Sequence, residues 1–370
     1  MTAMHILHTE SSCGWGGQEI RILTEAEGMV RRGHRVTLVC PEQAPISAAA
    51  RQRGLTVVNL PIARKSWRGW WALRTWLARH GAEVTVINAH SSTDTWLDAL
   101  ACATLHRSPP LVRTRHVSSP IHDNGPTRWL YQRASRHVVV TGEALRQQLH
   151  RDNGFALEHM TSVPTGIDLD RFQPAPRSAS RANLVLKEAP TLGILATLRN
   201  WKGHAYLLEA FAALTKDFPQ WRLLVVGDGP QRANLQRQAA TLALTERIDF
   251  VGNQEQVPPW LNAMDLFCLP SYGDEGVPQS IMQAMACALP VVSTPVGAIA
   301  EAVVDGETGL MVAPRDTTAL AEALGRLMSD ESLRQGYGEA GLGRAQARFG
   351  IDRMLDAMEK VFLRYGRRVG

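Results

Sequence analysis

Short apolar, β-branched runs alternate with helix-length stretches along almost the whole chain, and this rhythm restricts the fold more than any other feature. The runs fall at 5–8, 36–39, 56–60, 84–87, 111–115 and 137–140, then at 191–196, 222–226, 248–251, 266–269, 291–293 and 309–312. Helix-length segments such as 18–32, 205–217, 230–242 and 317–329 lie between them. Strand–helix alternation of this kind predicts an α/β fold, with parallel sheets covered by helices on both faces.

The rhythm breaks once. Residues 173–189 hold Pro174, Pro176, Ser178 and Ser180 with little apolar content, and read as a linker. A chain of 370 residues is too long for one ordinary core. Two doubly wound, Rossmann-like domains are therefore expected, at 1–172 and 190–350. The last helical segment, 351–365, has no sheet position left to fill, so residues 351–370 are predicted to cross back to the first domain. Ligands of doubly wound sheets bind beyond the carboxyl ends of the strands. Two such sheets facing each other would place the ligand in a cleft between domains.

Composition excludes several classes. With 45% hydrophobic and 20% charged residues the chain is not disordered. A formal charge of +5 is too small and too evenly spread to argue for nucleic acid. The cysteines Cys13, Cys40, Cys102, Cys268 and Cys287 form no CxxC pair and have no metal-ligand spacing with histidine, so reduced thiols in a cytoplasmic setting are expected. No signal peptide is read at the start, and no apolar run reaches the roughly 18 residues of a spanning helix.

The chemistry-bearing residues concentrate in the second half. In LGILATLRNWKGH a strand precedes Arg199, Lys202 and Gly203, and a helix follows. Two cations at the carboxyl end of a strand suit a diphosphate; two solvated surface cations are the plain alternative. Each charge-assisted hydrogen bond there contributes roughly 1.5–3 kcal/mol. In PSYGDEGVPQSIMQAMACALPVV a strand leads into a loop with Gly273 and Gly276, then a helix from about Gln279. Free amides at a helix start favour phosphate, and Pro278 there loses no intrahelical bond. The Glu275 carboxylate is placed to accept from sugar hydroxyls. Gln283 lies one or two turns into the helix, on a face directed at the same cleft, or is an ordinary polar helix residue.

These motifs, with GWGGQEIRILTEAEGMVRRGHRVTLV near the start, VPTGIDLDRF before the linker, LLVVGDGP, and the run from GVPQSIMQAMACALPVVSTPVG to DGETGLMV, resemble glycosyltransferase family 4 over nearly the whole chain. The resemblance implies the GT-B fold and transfer of a sugar from a nucleotide-diphosphate donor with retention of configuration. It implies a donor-sugar contact for Glu275, the first position of the family's Glu-x7-Glu motif. The second position, which binds the ribose hydroxyls in the family, is Gln283 here. A neutral amide offers one acceptor oxygen and an NH2 donor, so the ribose contacts are expected to be weaker or rearranged. Arg199 and Lys202 match the family's basic pair on the diphosphate, though their spacing is shorter than in many members. Gly14, Trp15, Gly16 and Gly17 match its glycine-rich loop, where a chain without Cβ atoms approaches donor and acceptor closely. His116 matches a histidine placed beside the reacting sugar and phosphate. Donor contacts are expected from Gly16, Gly17, Gly276, Val277, Pro278, Gln279, Ser280 and Gln283. His90 is read as a satisfied histidine of the fold, with an acceptor-side role as the minority alternative.

Two further patterns are discounted. Asp168-Leu169-Asp170 spells the DxD of metal-dependent glycosyltransferases, but its setting suits a turn and helix cap. Gly227-Asp228-Gly229-Pro230 reads as a strand end followed by Pro at a helix start. Neither a metal nor a cofactor is expected beyond the nucleotide sugar itself. Stabilising the departing nucleoside diphosphate would then fall to Arg199, Lys202 and the 276–280 backbone.

Residues 63–81, ARKSWRGWWALRTWLARHG, combine tryptophan with arginine. At 100° per residue, Arg64, Arg68, Arg79 and Lys65 fall within about 60–160° of Trp67, while Trp70, Trp71, Leu73 and Leu77 share the remaining arc with Arg74. This reads as a basic amphipathic helix at an anionic membrane surface, on the inner face of the cytoplasmic membrane. A lipid-linked acceptor in surface polysaccharide or lipopolysaccharide assembly would suit it. The bland alternative is a domain helix packed on its own sheet. From other function classes, a noncatalytic nucleotide-sugar-binding scaffold is the main alternative, supported by Gln283 alone, and a nucleotide-sugar epimerase or hydrolase the second.

Overall fold

The computed structural model describes residues 3–117, 119–273 and 275–367. Two units emerge from the packing: residues 1–166 with 351–370, and residues 167–350. In the first, β1 (His5–Thr9), β2 (Arg35–Cys40), β3 (Thr56–Asn59), β4 (Val86–Ala89), β5 (Leu111–Arg115), β6 (Ser135–Val140) and β7 (Met160–Ser162) form a parallel sheet in the order β3-β2-β1-β4-β5-β6-β7. In the second, β8 (Thr191–Leu195), β9 (Arg222–Val226), β10 (Ile248–Gly252), β11 (Leu266–Leu269), β12 (Val291–Ser293) and β13 (Gly309–Met311) run in the order β10-β9-β8-β11-β12-β13. Both orders reverse direction once, between β1 and β4 and between β8 and β11. Those reversals are the switch points at which a doubly wound sheet opens a ligand crevice beyond its strand ends.

Burial follows from parallel pairing, because helices cover both faces. Along β1, Ile6 and Leu7 point to opposite sides and enter different apolar clusters. Ile6 packs with Ile22, Met29, Met354 and Phe362, from the Gly17–Arg31 and Ile351–Tyr365 helices. Leu7 packs with Leu73, Leu77, Leu97 and Ala99, from the Trp67–His80 and Ser92–Ala103 helices. Each fully buried Leu or Ile contributes about 1.5–3 kcal/mol. The Ile351–Tyr365 helix is also tied by charge: Glu359 meets Arg32 at 2.9 Å and His34 at 3.1 Å. In the second unit one continuous core takes in both faces of the sheet, including Leu192, Ile194, Leu223, Leu224, Val225, Val226 and Phe267.

Several boundaries differ from those read in the sequence. The chain enters the second unit at Ile167, not after residue 172, because Ile167 and Phe172 are buried in that unit's core. Residues 173–189 are not a loose linker. They include the Arg177–Asn183 helix, in which the buried Arg181 donates to Ala263 O at 3.0 Å and to Asp265 Oδ2 at 2.5 Å. Arginine stems and polar bonds dock this segment where apolar residues are scarce. Strand β7 and the Glu331–Arg348 helix escape the rhythm. The first is three residues long. The second begins two residues after its predecessor ends, with Asp330 capping it through Leu333 N at 2.8 Å. The helix after the 227–230 loop starts at Arg232, so Pro230 lies in the preceding turn. Asp168 accepts from the amides of Asp170 and Arg171, both at 3.1 Å, and closes a turn.

Candidate active site

In the second unit, β8 ends at Leu195 and the chain reaches a single 3-10 turn, Asn200–Lys202. Gly203 follows with φ +79° and starts the His204–Leu214 helix. A Cβ at this glycine would lie 2.0 Å from Pro270 O, so only glycine brings the turn onto the end of β11. The backbone joins the two loops directly, with Tyr272 N donating to Trp201 O at 2.8 Å.

The closeness of the loops sets the side chains. Lys202 Nζ reaches Glu275 Oε1 at 2.6 Å, and Ser271 Oγ donates to the same oxygen at 2.9 Å. Glu275 is buried, and its carbonyl accepts from Ala298 N at 2.9 Å. Gly297, at φ +58°, passes so near that a Cβ would sit 1.9 Å from that carbonyl oxygen. Beyond Glu275, Pro278 occupies the N-cap of the Gln279–Ala286 helix. Val277 and Pro278 are buried, whereas Gly276, Gln279, Ser280 and Gln283 are half-buried. The first turn of this helix begins four residues after Glu275, with its positive dipole end of about half a charge.

Arg199 is not drawn into this pair. It is exposed and lies over the Trp201 ring at 5.1 Å. It borders a cavity of about 340 Å³ with Asn200, His204, Glu209, Gln231 and Tyr272. The structure thus joins Lys202 to Glu275 and leaves the second cation of the expected pair stacked on its neighbour.

In the first unit the glycine-rich loop follows β1. Gly16 is the N-cap of the Gly17–Arg31 helix, and Trp15 is exposed. Around it, sequence patterns gave no warning of a buried acidic group. Glu10 accepts from Ser91 Oγ at 2.6 Å, Ser12 N at 2.7 Å and the Gln18 amide. Asp94 caps the Ser92–Ala103 helix, accepting from His90 N at 2.8 Å and Ser11 Oγ at 2.9 Å. Asp98 accepts from Thr9 Oγ1 at 2.6 Å. Burial pushes Glu10 and Asp94 well up from the usual carboxylate range, and pushes Asp98 up to about 7. The one readable signal was the Ser91–Asp94 spacing of a capping box.

His116 lies just past β5, half-buried. His90 is buried and bonded through both ring nitrogens, to His116 at 2.9 Å and to His8 at 2.8 Å. Burial holds the pKa of His90 and of His116 well below the usual histidine value.

The tryptophan-rich segment divides. Ser66 caps the Trp67–His80 helix by accepting from Gly69 N at 3.1 Å, so Arg64 and Lys65 precede the helix instead of lying on its polar face. Leu73 and Leu77 enter the core. Trp67 and Trp71 are 73% and 52% exposed, which a helix packed only on its own sheet does not require. Arg68 is exposed beside them, while Arg74 donates to Thr104 and lies over the Trp71 ring at 5.6 Å. Among the described residues no helix is long and apolar enough to cross a membrane.

Comparison with known proteins bears on both units. Residues 15–171 match the family described as Glycosyltransferase Family 4, and residues 189–330 match Glycosyl transferases group 1. An exopolysaccharide phosphotransferase of Streptomyces coelicolor is 33% identical over 61% of this chain and 23% of its own length. The lipopolysaccharide core biosynthesis mannosyltransferase LpsB of Rhizobium meliloti is 34% identical over 55% of this chain and 60% of its own. The chain therefore spans less than two thirds of either relative. A crystal structure of Anabaena HepE in complex with UDP superposes with a TM-score of 0.85, covering 98% of this chain and 100% of that one at 21% identity, a likeness of fold. Two Rossmann-like units with these matches form the GT-B fold, and the chain belongs to the family 4 glycosyltransferases.

Proposed function

We propose that this glycosyltransferase moves a hexosyl group from a nucleotide-diphosphate sugar to a glycan or lipid-linked acceptor, with retention of configuration, in surface polysaccharide or lipopolysaccharide assembly. The observation that carries the reading is the Lys202–Glu275 pair, with the Gln279–Ala286 helix starting four residues after Glu275. A cation and a helix N-terminus suit a diphosphate, and a carboxylate next to them suits the hydroxyls of the attached sugar. The name of the relative LpsB supports the class of product.

In the proposed reaction the bond from the anomeric carbon to the diphosphate oxygen breaks and the acceptor oxygen bonds to that carbon. The acceptor proton passes to the departing diphosphate oxygen. Negative charge grows on the nucleoside diphosphate, where Lys202 and the backbone of Gly276 to Ser280 are placed to stabilise it before the bond breaks. Arg199 would join by leaving the Trp201 ring. Glu275 orients the sugar, Gln283 meets the ribose, and Gly16, Gly17 and His116 are the first unit's contribution to the ligands. No side-chain nucleophile and no metal is assigned a step.

Exposed Trp67 and Trp71, with Arg64, Lys65 and Arg68 nearby, support docking on an anionic membrane surface that presents a lipid-linked acceptor. Incubating the protein with UDP-, GDP- and ADP-sugars and an acceptor extract tests the function by release of nucleoside diphosphate. Acceptor-dependent release is expected. Release that ignores acceptor would mean a hydrolase, and binding without release would mean a scaffold; either overturns the proposal.

A further inference from the structure

Three histidines from three neighbouring strands form a chain of ring-to-ring hydrogen bonds in the first unit. His8 lies on β1, while His90 and His116 follow β4 and β5. His8 Nδ1 meets His90 Nε2 at 2.8 Å, and His90 Nδ1 meets His116 Nε2 at 2.9 Å. The far nitrogen, His8 Nε2, is buried without a hydrogen-bond partner, and Glu25 Oε1 stands 4.0 Å from it. The Glu25 carboxyl is itself wholly buried. Asn88 Nδ2 donates to its Oε1 at 3.2 Å, and Thr114 Oγ1 donates to the Asn88 carbonyl oxygen at 2.7 Å, which fixes the amide's orientation.

A neutral imidazole carries one N–H, so each ring in such a chain can donate in only one direction. Burial keeps all three rings neutral near pH 7. Two arrangements then satisfy both bonds. In one, every ring is protonated at Nε2: His116 donates to His90, His90 to His8, and the His8 N–H points to Glu25. His116 Nδ1 is then a bare acceptor. In the other, every ring is protonated at Nδ1, the bonds run outward, His8 Nε2 is bare, and His116 Nδ1 is a donor. A mixed arrangement sets two lone pairs or two protons against each other.

We propose that Glu25, acting through His8 and His90, sets the tautomer of His116 and so decides whether its Nδ1 offers the donor substrate a lone pair or an N–H. An ionised Glu25 attracts the N–H end of His8 and selects the Nε2–H arrangement. A protonated Glu25 no longer attracts the His8 N–H across the 4.0 Å gap and favours the Nδ1–H arrangement. The charged and titratable groups facing the chain are Arg21, whose Nε lies 3.9 Å from Glu25 Oε2, Arg113 from β5, and Asp94, whose carboxyl accepts from His90 N at 2.8 Å. From the Ile351–Tyr365 helix the neutral Met358 sulfur meets Arg21. Burial raises the Glu25 carboxyl to about 7 against the pull of Arg21 and Asn88, so both arrangements lie in the working pH range. His8, His90 and Glu25 are positioning residues here. The role toward the donor rests on the proposed function, in which His116 faces that substrate.

Nitrogen-15 NMR of histidine-labelled, ligand-free protein between pH 6 and 8.5 reads the tautomers directly. In the wild type all three rings are expected to stay neutral while His116 changes from Nδ1–H to Nε2–H as pH rises, together with His90. Glu25→Gln is expected to abolish the change. His8→Phe, which cuts the chain and leaves Glu25 in place, is expected to abolish it for His116. A His116 tautomer fixed across the range in the wild type, or a change that survives both substitutions, overturns the coupling while leaving the transfer reaction standing. The KM for donor is expected to shift roughly 2- to 12-fold across the same range in the wild type, the worth of one neutral hydrogen bond. It is expected to stay flat in Glu25→Gln with kcat little changed. A wild-type KM that ignores the titration while the NMR change persists overturns the role toward the donor.

Discussion

Lys202 Nζ and Glu275 Oε1 are 2.6 Å apart, from residues 73 positions distant in sequence. The two groups assigned to adjoining parts of one substrate, diphosphate and sugar, are thus held against each other at the reversal point of the second sheet. A diphosphate must compete with Glu275 for the Lys202 ammonium. Glu275→Gln removes the competitor and keeps the shape. Nucleoside diphosphate should then bind as well as to wild type or up to about 10-fold tighter, while transfer falls by about 100-fold or more for want of the sugar contact. Calorimetry and turnover on one preparation check both halves, and a parallel loss of binding would contradict the assignment.

Gly203 tests the backbone behind that pair. Its φ of +79° and the 2.0 Å approach of a Cβ to Pro270 O leave no room for alanine. Gly203→Ala should cost about 1–3 kcal/mol, a thermal midpoint lower by roughly 3–10 °C. Donor turnover should fall further than stability explains, because Lys202 moves with the turn. A thermal melt beside a rate measurement decides it.

The buried acids of the first unit predict how stability varies with pH. Glu25 and Asp98 titrate at about 7 in the fold, against ordinary values of 4.5 and 3.8. Between those limits the native state binds more protons than the unfolded chain, so their contribution is full at acid pH and is lost as pH rises through about 7. Buried histidines act oppositely. His8 titrates at about 3, and His5, His137 and His204 at about 4, so their contribution grows up to the ordinary 6.5 and is constant above it. The thermal midpoint should therefore fall between pH 6.5 and 8.5, and fall less in Asp98→Asn. A midpoint that rises over that interval contradicts the account.

The membrane reading makes its own demand. Co-sedimentation with anionic vesicles should weaken with added salt, since exposed charges are screened beyond about 10 Å at 0.1 M. It should drop at least several-fold in a Trp67→Ser, Trp71→Ser double variant, since each exposed aromatic supplies about 1 kcal/mol or more when buried at an interface. Both side chains are largely exposed, so the fold should survive. Binding that is indifferent to anionic lipid content rules the surface out.

What the sequence disclosed was local. Strands such as Leu111–Arg115 and Leu266–Leu269 carry their own apolar signature, and the Lys202 and Glu275 motifs follow such strands directly. What it concealed depends on residues meeting across the fold. His8 and His90 are 82 positions apart, and Glu10 and Ser91 are 81 apart. Nothing in either local pattern marks them as neighbours. The docked segment around Arg181 looked like a linker because much of its anchoring comes from guanidinium bonds, with few apolar side chains to signal it. Arg199 is the weaker match of the basic pair because of its short spacing to Lys202, and it lies over the neighbouring Trp201 ring. Reading Arg64 and Lys65 as helical ignored Ser66, a stronger start signal than the arginine spacing.

The central claim is that the turn carrying Lys202, together with the 275–280 loop, is a nucleoside diphosphate site. Calorimetric titration of the wild type and Lys202→Ala with UDP, GDP and ADP tests it most directly. The account predicts saturable heat with at least one of the three and a roughly 10- to 150-fold weaker Kd in the variant, the worth of one charge-assisted hydrogen bond. No heat with any of them, or equal affinity in the two proteins, would contradict it.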